Sequence, residues 1–418
     1  MLLGKIIGKS KKILEILEEI NSPYQKIISF KPKNTSRGNV LFYGDIKPFL
    51  LKPGQSIANS HSILWQYLQE VRTFLDLGYS VDVVYCRNER FVPKKDYSFL
   101  VSVRTALERI APLLNKDCVK IMRICITNSV FNNAAEANRL LALQQRRGVT
   151  LKPKRFHMPD LAIEFADCAI GYGNEFTFNT FKYTNKPIYR ISNHTCTTYP
   201  WSETKDFGAC RKSFLWLGSN AFVLKGLDLV LESFATMPEY HLTICGSIKQ
   251  DKAFEKAFYK ELYQTPNIHT VGWVDVGSSE FLEIANNCIG LVYASASEAH
   301  CTSVLTCMQA GVIPIISYES AVDVDDFGII LAKSSIEEIC NSVQKLANLP
   351  AQELKLMARK AWECARANYT REKFADEYRK IIEHLITINQ KQEIASKQYC
   401  LPQVQVVTLI DDLLLESD

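Results

Sequence analysis

The sequence has no apolar run long enough to span a bilayer, which takes about 20 residues. It has no leader pattern either, because Lys5, Lys9, Lys11 and Lys12 interrupt the apolar pieces at its start. These absences lead us to expect a cytoplasmic protein that touches the inner face of a membrane at most. There is no Cys-x-x-Cys pair among the thirteen cysteines, whose number is odd and whose spacing is irregular. That speaks against a disulfide framework and favours reduced, mostly buried thiols. His300, Cys301 and Cys307 do not have the spacing of a zinc site, so no metal is expected. No block of like charge occurs, and 49 basic against 45 acidic residues leave a net charge of only +4. Nucleic acid is therefore not an expected partner.

What is present is the material of a globular protein. Hydrophobic residues make up 47% and charged residues 22% of the 418 positions, enough for two α/β domains with extensions. Residues 1–23 hold an amphipathic helix, with Leu2, Leu3, Ile6, Ile7, Ile13, Leu14, Leu17 and Ile20 on a helical period. Glu15, Glu18 and Glu19 oppose an anionic membrane, which favours packing on its own domain or on a second copy in a homo-oligomer.

Residues 24–195 read as the first Rossmann-like domain. Strands are expected at Val40–Tyr43, Val81–Tyr85, Val119–Thr127, Cys168–Tyr172 and Pro187–Ile191. They alternate with helices at Ile63–Leu77, stopped by Gly78, and at Ala134–Arg147, stopped by Gly148. Residues 196–212, with Pro200 and Gly208, have linker chemistry. Residues 213–370 form a second series. Its strands are Phe214–Leu217, His241–Cys245, Ile289–Tyr293 and Val312–Ile316, and its helices are expected at Leu227–Phe234, 251–263, Val304–Ala310, 335–347 and 351–367. A helix over residues 371–389 is expected to cross back, and residues 390–418 form an extension without a clear period. The fold class is α/β: two doubly wound, Rossmann-like domains facing a cleft, with the ligand at the carboxyl ends of the strands.

Two segments carry chemistry. In the first, a strand ends at Gly218, and a loop through Ser219 reaches Lys225 and Gly226 just before a helix. Helix-terminal amides and a lysine there favour a phosphate. Alone, this is also an ordinary solvated lysine before a turn. In the second, a buried strand delivers Glu298, followed by small residues and a helix that Thr302 or Ser303 caps and Gly311 ends. Such a loop can cradle a diphosphate while Glu298 holds sugar hydroxyls. Gly246 ends the strand His241–Cys245, and His269–Val271 leads to Gly272 and Trp273.

The order of strand, glycine, Lys225-Gly226-Leu227-Asp228 helix, Ser297-Glu298 loop, helix, Ala310-Gly311-x-x-Pro314 and strand resembles the retaining glycosyltransferases of family 4, also called group 1. The resemblance is clearest over Phe214–Ile388. It implies a GT-B fold, a nucleotide-sugar donor as substrate, and no metal or other cofactor. It also implies a glycan, lipid-linked or small-molecule acceptor. By the resemblance, Lys225 meets the donor diphosphate and Glu298 the transferred sugar. An arginine usual in the family is Ser219 here, and the glutamate that binds the ribose is Thr306. Gly218, Gly246, Trp273, His300, Cys301, Thr302 and Ser303 complete the expected donor site, with backbone donors near Cys301 and Thr302 offsetting the lost charges.

The first half gives softer signals. Gly54 and His61 follow the first strand on the expected acceptor side. Asn174 and Glu175 end a later strand and are expected to face the cleft. Gly171-Tyr172-Gly173 is not read as a dinucleotide fingerprint, because the third glycine position is Phe176 and no helix is evident there. Arg139, Arg146 and Arg147 read as a solvated helix face, or as a meeting place for an anionic lipid-linked acceptor. Two rivals remain: a nucleotide-sugar epimerase on the same scaffold, and a degenerate binding subunit of a glycan assembly complex. Ser219 and Thr306 favour the second.

Overall fold

The computed structural model describes residues 25–52, 55, 57 and 62–399. The amphipathic helix expected before residue 24 lies outside them.

Seven strands form the first sheet: β1 (Ile28–Phe30), β2 (Asn39–Gly44), β3 (Ser80–Tyr85), β4 (Phe99–Ser102), β5 (Val119–Ile124), β6 (Cys168–Gly171) and β7 (Ile188–Arg190). Their order is β1-β3-β2-β4-β5-β6-β7, parallel throughout except for β1 on the edge. The second sheet holds β8 (Ser213–Leu217), β9 (His241–Cys245), β10 (Ile268–Gly272), β11 (Gly290–Tyr293), β12 (Ile313–Ser317) and β13 (Ile329–Leu331). Its order is β10-β9-β8-β11-β12-β13, all parallel. The strand order reverses between β8 and β11, and such a reversal opens a crevice at the strand ends.

The central strands read as continuous apolar runs because helices cover both faces of each sheet. Val40, Leu41, Phe42 and Tyr43 are all fully buried, as are Leu291, Val292 and Tyr293. The Ser62–Asp76 helix is followed by Gly78 at φ +88°, and the Ser129–Arg147 helix by Gly148 at φ +67°. Glycine takes this left-handed conformation without a Cβ penalty.

Several boundaries differ from expectation. The helix expected from Ala134 starts five residues earlier, because the Asn128 side chain accepts the Val130 N–H and caps it there. Residues 251–263 break into Lys252–Ala257 and Tyr259–Tyr263 at Phe258. The short strands β1, β4 and β13 carry no readable period.

The segment between the sheets is tied down strongly. Lys205 is buried, and its Nζ donates to the carbonyls of Ala285 (3.0 Å), Cys288 (2.7 Å) and Gly311 (3.1 Å). The helix that begins at Arg371 returns to the first domain. There the Phe374 ring meets Trp65 and His194, and Glu377 accepts the Ser192 N–H at 2.6 Å.

Arg139, Arg146 and Arg147 do not form a solvated face. Arg146 donates to Asp228 and to Glu232, both at 2.7 Å, and Arg147 to Glu261 at 2.7 Å. Arg139 donates to the Ala294 carbonyl at 2.7 Å. One helix of the first domain thus locks onto the second domain. Buried Asp228 needs such a partner, since an unpaired buried carboxylate is costly. Among the described residues no helix is long and apolar enough to cross a membrane.

Candidate active site

A cavity of about 400 Å3 lies between the two sheets. Its second-domain wall follows from the sheet topology. Lys225 comes from the loop after β8 and Glu298 from the loop after β11, the two strands that flank the order reversal. The loops are stitched together, with Ala296 N–H donating to the Leu224 carbonyl at 2.8 Å. Lys225 Nζ stands 3.1 Å from Glu298 Oε1. The same carboxylate oxygen accepts from the Tyr293 hydroxyl at 3.2 Å, and Oε2 accepts from Arg155 Nη1 at 3.3 Å.

Burial alone would raise the Glu298 carboxyl, but Lys225 and Arg155 outweigh it and hold the group below the ordinary value. Glu298 is therefore a carboxylate at neutral pH, able to accept hydrogen bonds from a ligand's hydroxyls.

Gly218, Ser219, Gly246, Trp273, His300, Cys301, Thr302, Ser303 and Thr306 also line this cavity. Trp273 leaves 59% of its surface exposed, so an aromatic face is offered to a ligand. The helix after Glu298 spans Thr302–Gln309, and its N-cap is Cys301 rather than Thr302 or Ser303. The chain enters its first turn one residue earlier than expected. Cys301 N–H is not free for a ligand, because it donates to the Ser320 carbonyl at 3.0 Å. The amides of Thr302 and Ser303 belong to the open first turn of the helix. Thr306 donates its hydroxyl proton to the Thr302 carbonyl at 2.8 Å, which leaves only its oxygen to accept from a ligand.

His300 is buried with its Nδ1 unpartnered, beside the rings of Tyr172 and Tyr369. Burial pushes it down to about 3, and buried His194 falls for the same reason to about 4. An unfolded histidine titrates near ~6.5, so the unfolded chain binds more protons below that pH. The contribution of these two residues to stability should then fall as pH drops from 6.5 toward 4, by about 1.4 kcal/mol per pH unit for each histidine. Thermal denaturation between pH 7 and 5 checks this. The melting temperature of His300→Phe should fall less with acid than that of the wild type, and parallel profiles would contradict it.

The first-domain wall brings Ser62, Ile63, Cys125, Arg155, Tyr172 and Asn193 to the cavity. Asn174 and Glu175 do not reach it. Gly173, at φ +124°, turns the chain away so closely against the second domain that a Cβ would stand 2.1 Å from the Ala299 carbonyl oxygen. Asn174 is instead buried against Asp323, its Nδ2 donating at 3.1 Å, and Glu175 is exposed. A five-residue helix does open at Glu175, capped by Asn174, contrary to expectation. Gly54 and His61 lie outside the described residues. Arg155, Tyr172 and Asn193 were not expected. Nothing in the stretch Lys152-Pro153-Lys154-Arg155 marks it as a cleft element, and side chains far along the chain position it.

Comparison with known proteins agrees with this architecture. The family described as glycosyl transferases group 1 matches residues 211–361. No curated protein sequence matches the chain. Sucrose-phosphate synthase from Thermosynechococcus elongatus shares the fold at a TM-score of 0.59 and 13% identity, over 84% of this chain and all of that one. HepE from Anabaena, solved with UDP and glucose, does so at 0.53 and 12%, over 84% and 100%. S. aureus TarM is similar at 0.48 and 12%, over 69% of this chain, which spans only 56% of TarM's length. For sucrose-phosphate synthase and HepE, at these identities, the likeness shows the fold: two Rossmann-like domains facing a cleft, the GT-B arrangement.

Proposed function

We propose that this protein, whose residues 211–361 match the group 1 glycosyl transferases, is a retaining glycosyltransferase. It moves a hexose-type sugar from a nucleoside diphosphate donor to a glycan, lipid-linked or small-molecule acceptor in polysaccharide or glycolipid synthesis. One observation carries the reading: Lys225 and Glu298 meet at 3.1 Å in a cavity beside the first turn of a helix. A diphosphate and a sugar, joined by one bond, need those two groups side by side.

In this mechanism the bond between the anomeric carbon and the diphosphate oxygen breaks as the acceptor oxygen bonds to the same face. The acceptor proton passes to the departing phosphate oxygen. Negative charge develops on the leaving diphosphate, and Lys225 with the helix N-terminus stabilises it electrostatically, in place of a metal. Glu298 accepts hydrogen bonds from the sugar and fixes its orientation. Cleft closure excludes water and so limits donor hydrolysis.

Ser219, which adds no charge, and Thr306, whose proton is spent on Thr302, favour a second reading: a binding subunit without turnover. A thermal-shift screen against UDP, GDP, ADP and TDP and their sugars tests donor binding. A ligand about a hundredfold above its Kd adds about 2.7 kcal/mol to the folded state and raises the melting temperature. If no nucleotide does so, the glycosyltransferase reading is wrong.

A further inference from the structure

Among the described residues, three charged side chains line the cavity: Lys225, Glu298 and Arg155. The formal charges of these three, +1, −1 and +1, sum to one positive charge. His300 adds nothing, because burial keeps it neutral at ordinary pH. Two cations on one carboxylate repel each other, and holding them in a half-enclosed site is costly unless an anion arrives to share them. Among the described residues of the second-domain wall Lys225 is the only cation, and Ser219 is uncharged.

Arg155 is a built feature of the opposite domain. Both its backbone amide and that of Lys154 donate to the Glu136 carboxylate, at 3.0 and 2.7 Å. Its carbonyl accepts from Asn132 Nδ2 at 2.6 Å. Glu136 and Asn132 are each only 2% exposed, so two buried polar side chains serve to hold this backbone in place. Asn132 Oδ1 also accepts from the Ser297 hydroxyl at 3.1 Å, which ties the Arg155 loop to the residue next to Glu298. The guanidinium has five N–H donors, of which Nη1 meets Glu298. Its side chain stays 27% exposed.

We propose that Arg155 is the second cation of the diphosphate site, reaching across from the first domain, so that the donor's phosphates are held between Lys225 of one domain and Arg155 of the other. This rests on the donor-binding reading above. A planar guanidinium can take two phosphate oxygens at once, which suits it to a bridging anion. Donor binding and cleft closure are then one event, because the anion contacts both walls.

The test is calorimetric titration of the full chain with whichever of UDP, GDP, ADP and TDP stabilises the wild-type protein most. Arg155→Met should weaken its binding about tenfold or more, and Arg155→Lys should recover part of the loss. A second readout needs no variant. In the wild-type protein that nucleoside diphosphate should protect Arg155 from an arginine-selective dicarbonyl reagent, mapped by mass spectrometry, while the parent nucleoside should not. If none of the four nucleotides binds the wild-type protein, the donor-binding reading fails and the inference with it. If the wild-type protein binds and Lys225→Ala does not, while Arg155→Met binds as tightly as wild type and Arg155 labels equally with and without nucleotide, the inference alone is overturned.

Discussion

Lys225→Ala should lower turnover with the cognate nucleotide-sugar by about 10²–10³-fold, the loss typical when a preorganised group that stabilises developing charge is removed. The size follows from the setting of the residue. Lys225 is only 8% exposed, and its Nζ is held 3.1 Å from Glu298, so its charge is neither screened by water nor free to wander. Charge in such a site acts through a lower effective dielectric than on the surface. The loss should fall on both KM and kcat, because the diphosphate is already charged when the donor binds and gains further charge as the bond breaks. Steady-state kinetics of both proteins, with circular dichroism to confirm folding, checks this. A Lys225→Ala enzyme within a few-fold of wild type would remove Lys225 from the chemistry. Wild-type protein that binds a nucleotide-sugar but never turns it over would favour the binding-subunit reading.

Gly226→Ala should be the most damaging single methyl group in the second domain. Gly226 sits at φ +73°, a conformation that an L side chain rarely adopts. An added Cβ would stand 2.3 Å from the Ala294 carbonyl oxygen and 2.7 Å from its carbon. That carbonyl cannot step aside cheaply, because it already accepts from Arg139 at 2.7 Å. Strain and clash together should cost at least about 2 kcal/mol and lower the melting temperature by several degrees. The same clash pushes the Lys225 loop away from the Glu298 loop, so activity should fall further than stability does. A variant with wild-type melting temperature and turnover would mean that the backbone here is looser than described.

The parts of this molecule legible in its sequence are those fixed by neighbours in the chain. Val40–Tyr43 and Ile313–Ile316 are apolar without interruption and could hardly be anything but buried strands. Gly78 and Gly148 ended helices where expected. Lys225 and Glu298 stood out because each lies in a short strand–loop–helix unit whose order is itself the signal. Their meeting follows from the sheet order, with the two loops leaving the strands that flank the reversal.

What stayed hidden depends on contacts distant in sequence. Arg155 is 143 positions from Glu298, and buried Glu136 and Asn132, neither remarkable in its helix, place it there. The arginines after Arg139 looked solvated because their partners, Asp228, Glu232 and Glu261, belong to the other domain. Asn174 looked like a cleft residue because it ends a strand. It misses the cleft because Gly173 turns the chain against Ala299. Phe99–Ser102 has only four residues, too few to display a period, although it pairs on both sides in the middle of its sheet.

On the proposed function, the cleft between the two sheets holds a nucleoside diphosphate sugar with its phosphates at Lys225. A crystal structure of the protein soaked with the nucleotide that gives the largest thermal shift tests it directly. Density for the diphosphate is expected within hydrogen-bonding distance of Lys225 Nζ and the amides of Thr302 and Ser303, with the sugar side toward Glu298. A nucleotide bound elsewhere on the molecule, or a cleft that stays empty at saturating nucleotide, would contradict it.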